Sequence, residues 1–324
     1  MKILMFGRGV IATIYGWALH QAGHDVEFYV RPGRAATYGE AIDLDLFDTR
    51  RGVWGQRVVE KWPVRYREAL EPDHDFDLIV LSVPHHRLAE ATAFLTPRIG
   101  KATVLVFGNI WTEPLAAIGA LPVDQVAWGF PQAGGGFGTD GVLRGGLLLR
   151  SVVFGTLGRP PTDRELAGRQ AFREAGLRPQ EQPDFRGWLW VHFVSDAGLF
   201  SQGVRLGSLS ELAGSTSDFR EAMLTGRELL PLLEARGLDL RRQRGALLFR
   251  APTWLTARAF AWATTRVPPL RASFASHSDP DAEEPREVCR DVLAEARRLG
   301  ISVPRLEAAE PHFGLSVTSQ EEKS

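Results

Sequence analysis

A chain of 324 residues with a formal net charge of −1 is long enough for two apolar cores and supplies no global field, so neither nucleic acid nor an anionic membrane is expected as a partner. Its single cysteine, Cys289, excludes an internal disulfide and a cysteine-based metal cluster, and no histidine and carboxylate group has ligand spacing, so no metal is expected. With that cysteine usage, no apolar signal core at the start and no apolar run of bilayer length, the expected location is cytoplasmic.

The opening residues carry the strongest pattern. Residues 2–6 form a short apolar run of strand length, and Gly7-Arg8-Gly9-Val10-Ile11-Ala12 follows at once. The pattern predicts a helix to about Ala22, ended by Gly23 and His24, then a strand over residues 25–30. A strand, glycine turn, helix and strand of this size suit dinucleotide binding. Gly7 permits the tight turn. Gly9 leaves room for a pyrophosphate at the helix N-terminus, where Val10 and Ile11 open the helix, and Ala12 stands where a third glycine often sits. Arg31, with Arg34 three residues on, replaces the acid that would accept a ribose 2′-OH. Guanidinium groups match a 2′-phosphate, so the expected cofactor is NADP(H) rather than NAD. The plainer alternatives are a glycine turn in another kind of α/β protein and two solvated loop arginines.

Further on, residues 42–48 alternate as a strand, and short strands are predicted near 58–59 and 64–66. Residues 77–83 have the composition of a buried parallel strand, ending in Ser82-Val83-Pro84-His85-His86 on the side where ligands sit in open α/β folds. The two histidines read either as cofactor or substrate contacts or as exposed loop residues. A helix over 87–95 and a strand over 102–107, closing on Gly108-Asn109, come next. The strand over 125–130 runs into the glycine-rich stretch 131–138, read as a mobile or tightly turned loop over the site, or as a simple hairpin connection. Strands near 141–149 and 152–155 and a helix near 162–175 complete a first domain over residues 1–180.

Residues 177–184 read as a proline-bearing connector. Beyond it strand signals nearly vanish, and helices are predicted over 186–202, 218–236, 245–266 and 283–299. The expected fold class is thus an α/β Rossmann domain with a mostly parallel sheet, followed by an all-α domain over residues 181–324 for substrate and dimerisation. Trp254, Phe260 and Trp262 read as core or dimer-interface aromatics. Residues 268–285 read as a polar loop, and 320–324 as a frayed end.

That domain order, with the opening Met1-Lys2-Ile3-Leu4-Met5-Phe6-Gly7-Arg8-Gly9, resembles the ketopantoate reductase family. The resemblance implies that Gly7, Gly9 and Arg31 serve the NADP end and that Val83 and Pro84 line the cofactor. It also puts Asn109 at the strand end beside the nicotinamide. Residues 188–196 are similar to the family helix of the form Trp-x-Lys-Leu-x-x-Asn, residues 300–304 match a common family ending, and the helix-start glutamate falls at Glu284, or Glu283. Ser273, Ser276 and His277 fall near the family's substrate-binding serine.

The departures from the pattern are specific. The catalytic lysine of the family aligns with His192, its helix asparagine with Asp196, and the next asparagine with Phe200. A second family lysine falls at Pro84, and lysine occurs only at Lys2, Lys61, Lys101 and Lys323. Reduction of a ketone needs a proton donor, which an imidazolium provides, and Asp196 four residues on lies on the same helix face. His192 therefore reads as proton donor with Asp196 as its partner; the alternative is a satisfied histidine in packing. Phe200 implies a larger, more apolar substrate than ketopantoate. Three functions stand open: an NADPH-dependent reductase of a C=O or C=N bond, a non-redox cyclase or isomerase of a biosynthetic pathway on the same scaffold, and an NADP(H)-binding protein without chemistry. A homodimer, where one forms, is expected through the helical domain.

Overall fold

The computed structural model describes residues 1–314; the frayed end expected at 320–324 lies outside the described residues. The chain divides into two compact units, Met1–Phe185 and Arg186–Ser324.

The first unit begins with β1 (Lys2–Phe6), α1 (Val10–Gln21) and β2 (Asp25–Tyr29), as the opening pattern predicts. A single-turn helix α2 (Ala35–Tyr38) precedes β3 (Ala41–Asp48), β4 (Gln56–Pro63) and the two-residue β5 (Tyr66–Arg67). Then come β6 (Leu78–Leu81), α3 (Leu88–Leu95), β7 (Thr103–Phe107), the short α4 (Pro114–Ala117) and β8 (Val126–Phe130). The unit ends with β9 (Ala133–Phe137), β10 (Leu143–Leu147), β11 (Ser151–Gly155), α5 (Asp163–Glu174) and β12 (Arg178–Gln182).

Eight strands form one sheet in the order β12-β11-β8-β7-β6-β1-β2-β5, parallel throughout except where β11 meets β8. Every residue of β6, β7 and β8 is buried, which is why these strands read as unbroken apolar runs rather than alternating ones. Connections leave β1 toward β2 on one side and return through β6 on the other. The β1/β6 boundary is therefore the topological switch point, beside whose C-terminal strand ends ligands sit in such folds.

Two expectations fail in this unit. Residues 178–182 are not a connector: β12 pairs in parallel with β11, Ser151 opposite Arg178 through Gly155 opposite Gln182. Its alternation is hidden because it is an edge strand with polar side chains and a proline, both tolerated at a sheet edge. Nor is 131–138 a loop. Its residues 133–137 form β9, antiparallel to β10, in a second sheet of order β4-β3-β10-β9. The glycines serve close backbone approach: a Cβ on Gly145 would stand 2.1 Å from Gly134 O and one on Gly146 2.1 Å from Phe47 O, with φ of +135° and +143° at the two positions.

The second unit is helical among the described residues: α6 (Phe185–Leu206, which starts at the last residue of the first unit), α7 (Thr216–Glu228), α8 (Leu230–Ala235), α9 (Ala246–Arg250), α10 (Thr253–Arg266), α11 (Pro268–Ser276), α12 (Glu283–Leu299) and α13 (Pro304–Ala309). The helix expected over 218–236 is broken after Glu228, where Pro231 starts a new one, and that over 245–266 is broken at Pro252. The loop expected over 268–285 begins as α11, whose two leading prolines occupy first-turn positions that need no N–H donor. At Gly198 a Cβ would lie 2.7 Å from Ala222 O, so α6 and α7 cross at backbone contact. Trp190 on α6 is 1% exposed, with the Arg236 guanidinium 3.7 Å from its ring centre. No helix among the described residues is long and apolar enough to cross a membrane.

Candidate functional site

Gly7 leaves β1 with φ +93°, a conformation only glycine takes readily, and donates its N–H to Tyr29 O at 3.0 Å. That bond ties the turn to the end of β2. Gly9 caps α1 in a backbone conformation (φ −72°, ψ 171°) open to any residue, and nothing lies within 4 Å of the place a Cβ would occupy. Val10 and Ile11 pack partly against the sheet core, and the first turn holds no acidic residue. The free N–H groups of this helix end thus face open space with positive potential, a fit for a phosphate.

Beside this turn the side chains are aromatic and cationic. Arg8 lies 4.7 Å from the ring centres of both Tyr38 and Phe137 and donates Nε–H to Tyr66 Oη at 2.8 Å. Half-burial pushes the Tyr66 phenol up, and Arg8 partly offsets this. Arg34 lies 5.3 Å from the other contact of this group, the Tyr38 ring. Arg31 is exposed; its carbonyl accepts the Arg34 N–H at 3.1 Å, and its guanidinium makes no hydrogen bond or ion pair with the described residues. Glu68 accepts the Ala35 N–H at 2.7 Å, and this bond with those from Gly33 and Arg34 holds its carboxyl below the usual range. Arg8, Tyr38, Tyr66 and Glu68 were not foreseen from the sequence. Only Arg8, between the two glycines, carried a positional signal.

Val83 and Pro84 follow β6, and Asn109 follows β7. A Cβ on Gly108 would lie 3.6 Å from Val83 O, so these strand ends abut. The sheet thus brings Gly7, Gly9, Val83, Pro84 and Asn109 to one edge. His85 and His86 meet edge to face, centroids 5.4 Å apart, in the turn that leads into α3.

In the second unit, α6 presents Trp188, His192, Asp196 and Phe200 at four-residue spacing on one face. The Trp188 and His192 rings stack with centroids 5.3 Å apart and planes 11° apart. His192 Nε2 lies 3.6 Å from Asp196 Oδ1, beyond hydrogen-bond length, so the contact is an ion pair when the imidazole is protonated. On the buried side Cys289 donates S–H to Ala197 O at 3.7 Å; burial, with the Asp196 charge, pushes its thiol pKa far up and leaves it inert.

Phe200 and Ser276 come together in the wall of a cavity of about 120 Å³. Ser276 turns its hydroxyl back onto the carbonyls of Ala272 and Ser273, at 2.8 and 3.0 Å. Ser273 is buried outside that wall, and its carbonyl also accepts Nδ1–H of His277 at 2.6 Å. Glu284 stands half-buried in the first turn of α12.

Residues 3–131 match the family model described as ketopantoate reductase PanE/ApbA, so the resemblance read from the sequence is borne out over that stretch. No curated protein matches the chain. Among solved structures, the chain is similar to a PanE/ApbA family ketopantoate reductase from Ralstonia eutropha JMP134, at 18% identity and TM-score 0.68 over 100% of both chains. It is similar also to 2-dehydropantoate 2-reductase from Geobacter metallireducens GS-15, at 16% identity and TM-score 0.71 over 100% of both chains. D-mandelate dehydrogenase with NADH and anilino(oxo)acetate is similar at 15% identity and TM-score 0.68, over 100% of this chain and 99% of that one. At these identities the structures establish the fold, a Rossmann-like domain followed by helices.

Proposed function

We propose, from the premise that the N-terminal domain is of the ketopantoate reductase PanE/ApbA type, that this protein is an NADPH-dependent reductase of a C=O or C=N bond. Its substrate is larger and more apolar than ketopantoate. The observation that carries the reading is Gly9: its backbone suits any residue and no part of the chain fills the space before it, yet the position is glycine. A phosphate drawn up to the helix end is what makes a side chain there intolerable.

NADPH, when bound, supplies the hydride. Gly7, Gly9 and the N–H groups of Val10 and Ile11 hold the pyrophosphate, and Arg31 takes the 2′-phosphate. Val83, Pro84 and Asn109 border the nicotinamide, and Glu284 is a further polar anchor. His192 gives a proton to the oxygen or nitrogen left by reduction. Asp196 pairs with the imidazole across 3.6 Å, and Trp188 fixes the plane of its ring. Phe200 and Ser276 face the apolar part of the substrate, with Ser273 behind them. The likeness to D-mandelate dehydrogenase, solved with NADH and anilino(oxo)acetate, supports a ring-bearing substrate. Arg31 favours NADPH here. A cytoplasmic location and a homodimer through the helical unit belong to the same reading; Trp254 and Trp262, 60% and 56% exposed on α10, support the dimer.

Loss of NADPH absorbance against aryl and branched 2-oxo acids, carboxy-ketones and cyclic imines tests the proposal. Turnover of one class supports it. Tight NADPH binding with no turnover points to the binding protein without chemistry, and turnover with no nucleotide added points to the cyclase or isomerase.

A further inference from the structure

The cavity in the helical unit is lined on its apolar side by Phe200, Val204, Leu209 and Pro285. Voids on the order of 150 Å³ with such linings take a benzene ring. This one, at about 120 Å³, has room for a ring or a branched chain.

Arg286, in the same wall, is not what a purely apolar ligand requires. It is 5% exposed and donates Nε–H to Gly314 O at 2.9 Å, Nη1–H to Ala282 O at 2.9 Å and Nη2–H to Pro280 O at 2.6 Å. A guanidinium has five N–H donors, so two remain over, and no carboxylate pairs with it among the described residues. Burying that charge is costly until an anion completes it. His277 adds to the same wall. Its Nδ1–H is committed to the Ser273 carbonyl at 2.6 Å, so Nε2 of the neutral ring offers a ligand a lone pair rather than a donor, and the anion is left to Arg286. Asp279 stands exposed at the rim with Oδ1 taken by the Asp281 N–H at 2.9 Å, so its repulsion of an anion is screened by solvent.

We propose that this cavity receives the apolar, acid-bearing end of the substrate: a ring- or branch-sized group whose carboxylate pairs with Arg286. The proposal rests on the reductase reading only in calling that ligand a substrate. Phe200 and Val204 lie four and eight residues past Asp196 on α6, on the order of 6–12 Å along the axis. The acid bound here is therefore separated from the reduced bond by a chain or ring.

Calorimetric titration of the full-length protein, without nucleotide, with phenylacetate and with neutral phenylacetamide tests this. The expected result is millimolar binding of the acid and at least tenfold weaker binding of the amide. Arg286→Gln keeps donor groups but loses the charge, and should abolish the preference. Should that variant not fold, Ser276→Phe fills the cavity without stranding any partner, and should abolish binding of the acid at an unchanged melting temperature. Equal binding of acid and amide, no binding of the acid at millimolar concentration, or an unchanged preference in Arg286→Gln overturns the proposal. Because no nucleotide is present, a failure here leaves NADPH binding to be judged separately, and a failure of NADPH binding leaves this result standing.

Discussion

The imidazole of His192 lies nearly parallel to the indole of Trp188, 11° between planes and 5.3 Å between centroids. One side of the ring is thus covered, and its Nε2 looks toward Asp196 across 3.6 Å. If this imidazole is the proton donor, His192→Gln lowers kcat by about 100-fold or more, the usual range for losing a general acid. NADPH affinity should not change, because no cofactor contact is assigned to His192. Stopped-flow turnover and a nucleotide titration separate the two; an unaltered kcat would return His192 to a packing role.

The Arg31 guanidinium has no partner within the described part of the chain, so truncating it disturbs no internal side-chain contact. Arg31→Ala should weaken NADPH by about tenfold or more, the size of a charge-assisted phosphate contact, and leave NADH affinity where it was. Equal losses for both nucleotides would show that Arg31 does not read the 2′-phosphate.

Gly9→Ala separates ligand binding from folding. The backbone there accepts alanine and the Cβ meets nothing within 4 Å, so the melting temperature should hardly move. NADPH binding should fall steeply. A stable variant with normal affinity would mean that the turn does not approach a phosphate.

Trp190 is 1% exposed and its ring is covered by Arg236 at 3.7 Å. Trp190→Ala should cost about 3–5 kcal/mol of unfolding free energy, while Arg236 keeps its ion pair with Glu295 at 3.3 Å. Denaturant unfolding measures it, and a loss below ~1 kcal/mol would contradict the packing described.

Asp140 is held by Arg144 at a pKa of about 2, from an ordinary 3.8. A carboxylate with a lowered folded-state pKa contributes stability above its unfolded value and loses it as pH falls through the folded one. The stability difference between the wild type and Asp140→Asn should therefore be constant at neutral pH and shrink between pH 3.8 and about 2. Thermal melts across that window check the sign; a difference that grows on acidification would contradict it.

Much of the fold was legible because its signals are local. A glycine turn between a buried strand and a helix, and apolar runs such as Leu78–Leu81, need no tertiary information. The failures came where tertiary contact overrides composition. Ala133–Phe137 looks like a loop until β10 and β3 press against its neighbours, and Arg178–Gln182 looks like a linker until β11 pairs with it. In the candidate site, four-residue spacing was enough to align His192, Asp196 and Phe200. Arg8 between two rings, Glu68 on the amides of residues 33–35 and the buried Arg286 depend on partners far off in the chain, Phe137 against Arg8 the most distant, which no local pattern encodes.

Direct titration of NADPH and NADH into the protein, followed by calorimetry, tests the central claim with the least chemistry in between. A single saturable NADPH site, tighter than for NADH and lost in Gly9→Ala, is the predicted result. No measurable affinity for either nucleotide would contradict the account at its base.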